Sequence, residues 1–270
     1  MVGNAFLRLI PIALSLLPTL APAAPLVHHY PAEGVCPPVL ILSHGLGGSE
    51  AGLSDLAHAA AGAGFDTWVM GHPASGMPLL KAVLDASNRQ AALEAAVTDA
   101  SVNAERAADL DSTLHHVLAT AGCTPPLMVM GGHSMGAQTA IIEAGARNNM
   151  GVAGGDRFDA YVALSSQGVG GRFPAGAWAD IEKPVLMVTG TSDRAVEGDW
   201  TTRLTAWDNL PADGRKQFAV IAGATHRDVS GTGAGPLPEA SREIVVDFLT
   251  GLLSGEPALA PREGVEIRRK

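Results

Sequence analysis

The sequence predicts an α/β protein: one domain built on a mostly parallel sheet of about six strands with helices on both faces. Three observations carry this. Short apolar runs of the kind buried on both sides recur at 39–43, 67–70, 127–130, 160–164, 184–189 and 218–221. Helical patterns or long connections separate them, as parallel strands require. With 270 residues, 47% of them hydrophobic, the chain can bury one substantial core and is short for two.

Residues 1–24 differ from the rest. Arg8 is their only charge, residues 9–20 are apolar but broken by Pro11 and Pro18, and Ala21-Pro22-Ala23 has the A-x-A form of a signal-peptidase site. This reads as a secretory signal peptide cleaved near Ala23 or Ala24, giving a secreted or periplasmic protein. An uncleaved anchor is the alternative, although the run is short and proline-broken for a membrane span. A net charge of -9, with Arg268-Arg269-Lys270 as the one basic block, argues against nucleic acid as a partner.

In chain order, residues 25–38 are proline-rich, with room for one short strand, so the N-terminal strands are reduced. The strand at 39–43 runs into the Gly-rich loop His44-Gly45-Leu46-Gly47-Gly48. Such a loop at a strand's C-terminal end frees backbone N–H groups to face a ligand, as an oxyanion requires, although a plain tight turn has the same composition. A helix at 53–64 leads to the strand at 67–70 and Gly71-His72-Pro73. Two helical segments follow, at 79–100 and 103–121. One crossover needs only one helix, so 79–100 is a candidate inserted cap over the ligand side. His115 and His116 lack a further ligand at helical spacing and suggest no metal site.

Residues 127–144, LMVMGGHSMGAQTAIIEA, carry the chemistry. An apolar strand meets Gly132-His133-Ser134-Met135-Gly136, a G-x-S-x-G match, and a buried-type helix follows. In such an elbow the serine is lifted clear of the sheet, and its flanking glycines let strand and helix pass closely. After strands at 160–164, 184–189 and 218–221 and a helix at 239–253, residues 255–270 show no periodic pattern and read as a mobile tail.

A serine hydroxyl needs a base, usually a histidine oriented by a carboxylate. His226 is the single histidine after Ser134, in the loop following the strand at 218–221. Of ten carboxylates between them, Asp193 alone directly follows the end of a buried strand; Asp199, in the same loop, is the alternative. The order Ser134, Asp193, His226 is that of the α/β-hydrolases.

Five motifs sharpen this: Ser43 to Gly48 (SHGLGG), His72-Pro73, Gly132 to Gly136 (GHSMG), Ser165-Ser166-Gln167-Gly168, and Gly223 to His226 (GATH). In this order, over about 39–253, they resemble the α/β-hydrolase serine esterases related to platelet-activating-factor acetylhydrolases and the predicted dienelactone hydrolase group. The resemblance implies Ser134 as nucleophile, His226 as base, Asp193 as its orienter, and the N–H groups of Leu46 and Met135 as oxyanion hole. Dienelactone hydrolases carry a cysteine where this chain has Ser134, so dienelactone is not the expected substrate. His72, Gln167 and Trp200 follow strand ends and are candidate pocket residues. In the α/β-hydrolase sheet the strands at 39–43 and 127–130 are neighbours, and Cys36 and Cys123 precede them, so a disulfide is geometrically natural.

The expected activity is exported carboxylic-ester hydrolysis without metal or organic cofactor, on a small-molecule or lipid-like ester. A thioesterase or peptidase with the same triad, or a non-catalytic binding protein on this fold, are the competing readings. With 4% aromatic residues, an aliphatic pocket for small or medium acyl groups is expected.

Overall fold

The computed structural model describes residues 24–270 except 195, 197 and 256, so the expected signal peptide lies outside the described residues. Strands β1 (Val27–Tyr30), β2 (Val39–Ser43), β3 (Asp66–Met70), β4 (Met128–His133), β5 (Ala160–Leu164), β6 (Val185–Ser192), β7 (Lys216–Thr225) and β8 (Val265–Arg269) form one sheet in the order β1-β3-β2-β4-β5-β6-β7-β8. The inner six are parallel; β1 on β3 and β8 on β7 are antiparallel edges.

The strands are apolar along their length because both faces are covered. Val39 and Ile41 of β2 join a core with Leu110, Leu114 and Val117 of α4 (Ala100–Ala121) and Ala137, Ala140 and Ile141 of α5 (Met135–Glu143). Leu40 and Leu42 face the other way, onto Leu56, Ala57 and Ala60 of α1 (Ser54–Gly62) and Ile244, Val245 and Phe248 of α8 (Pro236–Ser254). Two short helices, α6 (Leu204–Asn209) and α7 (His226–Val229), follow β6 and β7.

Three expectations are corrected. The sheet has eight strands rather than six. The C-terminal segment is tied down rather than an irregular, mobile tail: in the edge strand β8 Val265 and Ile267 pack on the core while Glu266 and Arg268 point to the other face, an alternation too short to stand out in sequence. Arg262 anchors the approach through Asp247 at 2.7 Å and Glu243 at 2.9 Å. And 79–100 is not one helix but two, α2 (Met77–Asp85) and α3 (Arg89–Thr98). Asn88 accepts the Ala91 N–H and Asp99 the Val102 N–H, so these polar residues cap new helices instead of continuing one.

Parallel pairing of β2 with β4, Val39 opposite Met128, brings their N-terminal approaches together, and there Cys36 and Cys123 form a disulfide with Cα atoms 6.1 Å apart. Among the described residues no helix is long and apolar enough to cross a membrane.

Candidate active site

At the C-terminal end of β4 the chain turns into α5 through Ser134, whose φ of 58° and ψ of -118° are costly for a residue with a Cβ. The turn survives because it is held on both sides. The Ser134 N–H donates to Leu164 O at 2.9 Å, and the Ser134 carbonyl accepts from Gln138 N–H at 3.1 Å. Glycine is required at the flanks: a Cβ on Gly136 would lie 1.8 Å from the Ser43 carbonyl, and one on Gly132 would lie 2.4 Å from the Gly136 carbonyl.

His226 stands where β7 gives way to α7. Its Nδ1 hydrogen-bonds Asp193 Oδ1 at 2.7 Å, so the acid reaching the histidine is Asp193. Asp199 is exposed and caps the following turn through the Thr201 N–H at 2.9 Å. His133 Nε2 donates to the His226 carbonyl at 2.8 Å, fixing the histidine's backbone from the strand that bears the serine.

Asp193 is fully buried and fully bonded. Oδ1 accepts from His226 and from Arg203 Nη2 at 2.8 Å; Oδ2 accepts from Ser165 Oγ at 2.6 Å and Thr189 Oγ1 at 2.9 Å. Burial alone would raise its pKa, but the His226 hydrogen bond, the Arg203 charge and the Ser165 hydroxyl together hold the carboxyl well below the usual carboxylate range. Ser165, Thr189 and Arg203 were not singled out by sequence as partners of the acid. Ser165 leaves one signal, standing first in the S-S-Q-G motif, where its φ of 55° turns the chain off β5.

The donor loop is set by one peptide unit. The Gly45 carbonyl accepts from His44 Nδ1 at 2.7 Å and from the Gly48 N–H at 3.1 Å. In a trans peptide the N–H points opposite to the C=O, so fixing Gly45 O inward turns the Leu46 N–H outward. Met135, the first residue of α5, has an N–H that the helix itself leaves free. The two donors lie close to the serine, since a Cβ built on Gly45 would be 3.1 Å from Ser134 Cβ.

A cavity of about 280 Å³ opens beside Ser134 and His226, walled by Leu46, Leu80, Leu93 and Val97 and by Ser165, Gln167 and Arg172. Leu80 belongs to α2, Leu93 and Val97 to α3, and Gln90 of α3 donates to Val196 O at 3.0 Å across the cavity. A second cleft of similar size, lined by Gly48, Leu53, His133, Arg227 and Ser230, meets the same serine and histidine.

Of the three pocket candidates only Gln167 lines the first cavity, where its Nε2 donates to the Ser134 carbonyl at 3.0 Å. His72 is buried away from both cavities, with Nε2 on Ser43 Oγ at 2.9 Å and Nδ1 on Asp109 Oδ2 at 2.9 Å. Burial, the Arg106 charge and His44 push its pKa well below the ordinary 6.5. Trp200 packs on the core beneath β6 and lines neither cavity. His72 comes directly after β3 and Trp200 opens the short helical turn at 200–203 beyond β6, but both side chains pack toward the interior, which position after a strand does not decide. Among the described residues no group of three or more His, Cys, Asp or Glu side chains is arranged to hold a metal ion.

No protein-family model and no curated protein matches the chain. Among solved structures it is similar to a predicted CIB-like hydrolase from Thermoplasma acidophilum, at 19% identity and TM-score 0.51 over 78% of this chain and 85% of that one. It is also similar to TT1662 from Thermus thermophilus, at 18% identity and TM-score 0.55 over 84% and 93% of the two chains. A protein of Klebsiella pneumoniae described, by inference, as a dienelactone hydrolase aligns at 20% identity and TM-score 0.58, covering 80% of this chain and 88% of that one. At such identities the likeness establishes the fold, an α/β-hydrolase fold.

Proposed function

We propose that the protein is an exported serine hydrolase acting on carboxylic esters. The observation that carries this reading is the Asp193 to His226 hydrogen bond of 2.7 Å beside a cavity that His226 shares with Ser134, a serine held in a strained turn. A buried carboxylate and a serine at positive φ are both costly, and their meeting through His226, which shares the cavity with Ser134, supports catalysis rather than packing.

In this reading His226 Nε2 takes the proton of Ser134 Oγ as the oxygen attacks the acyl carbon. The Leu46 and Met135 N–H groups receive the charge that develops on the carbonyl oxygen. His226 then returns the proton to the departing alkoxide, the C–O bond breaks, and an acyl-enzyme on Ser134 remains. Water attacks it with His226 again as base, releasing the acid and restoring the hydroxyl. Asp193 holds the imidazole with Nδ1 protonated throughout. The leucine and valine wall contributed by α2 and α3 suits an aliphatic acyl group, and in this role the two helices act as a cap. The Cys36 to Cys123 disulfide supports an oxidising compartment.

The test is hydrolysis of p-nitrophenyl esters together with labelling by a fluorophosphonate probe. Wild type is expected to hydrolyse and to label, and Ser134→Ala to do neither. Hydrolysis retained in Ser134→Ala would reject the nucleophile, and preferential turnover of thioesters or peptides would move the substrate class.

A further inference from the structure

Behind the donor loop lies a fully buried cation that takes no part in the proposed proton transfers. Arg106 comes from the inner face of α4, on the same stripe as Leu110, Leu114 and Val117. Its guanidinium touches four neutral acceptors on three separate pieces of chain. Nη2 donates to Ser43 Oγ at 2.7 Å and to the His44 carbonyl at 2.8 Å; Nη1 donates to Ser75 Oγ at 2.6 Å; Nε donates to Thr139 Oγ1 at 2.9 Å. Among the described residues no carboxylate lies within ion-pair distance of it. Burial lowers its pKa to about 9, which leaves it charged at neutral pH.

Three of the four contacts lead to the oxyanion donors. The His44 carbonyl begins the loop that carries Leu46. Ser75 ends the turn whose carbonyl accepts the Gly47 N–H at 2.8 Å. Thr139 donates in turn to the carbonyl of Met135 at 3.1 Å, the residue whose N–H is the second donor. Ser43 passes the chain on to His72 and Asp109, with one consistent set of protons: Arg106 donates to Ser43, Ser43 to His72 Nε2, and His72 Nδ1–H to Asp109. The donor loop and the nucleophile helix belong to different parts of the chain, and Arg106 bonds to both, through the His44 carbonyl and Thr139. A buried charge whose carboxylate, Asp109, is reached only through Ser43 and His72 is an expensive way to obtain mere packing. A planar fork with donors in fixed directions is what positioning needs, and lysine lacks it.

We propose that Arg106 is the positioning residue of the oxyanion hole, holding the Leu46 and Met135 halves at the separation that a tetrahedral oxyanion requires. The proposal rests on the serine-hydrolase reading. It is tested with Arg106→Lys and Thr139→Val, the second removing only the link to α5. The readouts are kcat and KM on a p-nitrophenyl ester, the affinity for an alkyl trifluoromethyl ketone that forms a tetrahedral adduct on serine, and circular dichroism. Arg106→Lys is expected to keep KM within about twofold while kcat falls roughly 10- to 100-fold, somewhat less than loss of a whole donor. Ketone affinity should fall in parallel. Thr139→Val is expected to show the same pattern at several-fold. Wild-type kcat and ketone affinity in folded Arg106→Lys, or a loss confined to KM, would overturn the proposal. Should Arg106→Lys fail to fold, an unchanged Thr139→Val overturns it alone. Wild-type protein that neither hydrolyses the ester nor binds the ketone would instead sink the serine reading, and the proposal with it.

Discussion

Asp193 Oδ1 is shared: it accepts the His226 Nδ1–H at 2.7 Å and the Arg203 Nη2–H at 2.8 Å. With Ser165 and Thr189 on the other oxygen, the carboxylate cannot rotate without breaking bonds in the interior. Its orientation toward His226 is therefore set by β5 and β6 and by the turn that bears Arg203, before any substrate arrives.

Removing either side of that arrangement has separable results. Asp193→Asn is expected to lower ester hydrolysis by roughly 10⁴-fold through the wrong histidine tautomer. Asp199→Asn should leave it near wild type, and the reverse pattern would reassign the acid.

Arg203→Met leaves Asp193 buried with less compensation, so a loss of about 3–5 kcal/mol in urea denaturation is expected. Adding Asp193→Asn removes the stranded charge and should recover part of that loss. Additive losses in the double variant would show that the two groups are not coupled.

The apolar wall of the cavity predicts chain-length selectivity. Leu93→Trp should cut turnover of p-nitrophenyl octanoate roughly tenfold or more while p-nitrophenyl acetate changes little, since one or two methylenes are worth about that much in a pocket. Equal effects on both esters would mean that α3 does not shape the acyl site.

The disulfide closes a loop with a sequence separation of 87, for which chain entropy gives about 4.6 kcal/mol as an upper figure. The Cys36→Ser, Cys123→Ser double variant should lose a large part of it at equilibrium, and non-reducing peptide mapping of exported protein should recover the linked peptides. Two free thiols in that material would contradict the bridge.

His44 is buried against Gly48 and stays neutral, its pKa lowered to about 4 chiefly by desolvation. The unfolded chain takes up a proton near pH 6.5 that the native state refuses. Stability from this residue is thus present above pH 6.5 and lost as pH falls toward 4, by about 3 kcal/mol in total. Asp109, its pKa raised by burial to about 6, works in the opposite sense below that pH, and this contribution cancels when variants are compared. A His44→Asn protein should therefore show a shallower acid loss in urea midpoints between pH 6.5 and 4. An identical slope would mean that His44 does not resist protonation.

Much of the architecture was legible because parallel strands covered on both faces must be apolar throughout, as at 39–43 and 160–164. The candidate residues Ser134, Asp193 and His226 were legible because the elbow needs glycines around Ser134 and because strand ends deliver the loops bearing Asp193 and His226. What stayed hidden depends on which way a side chain turns. His72 and Trp200 follow strand ends yet point inward, and Arg203 lies in a polar stretch with nothing to mark its burial. Arg106 left a faint trace, a charge at the helical spacing of Leu110, Leu114 and Val117, which describes a solvated face equally well until the packing is seen. The edge strand β8 escaped because two apolar residues among charges do not make a period.

The cystine also divides the chain by order of synthesis. Residues 36–123 contain the donor loop, the two cavity helices and Arg106, whereas Ser134, Asp193 and His226 all come later. An oxidising compartment receiving the chain N-terminus first can seal the ring before the residues of the nucleophile elbow have arrived. The half that bears the Gly-rich loop and Arg106 is then covalently closed in advance of the half that bears Ser134, Asp193 and His226, and mispairing is limited because no third thiol exists anywhere in the sequence.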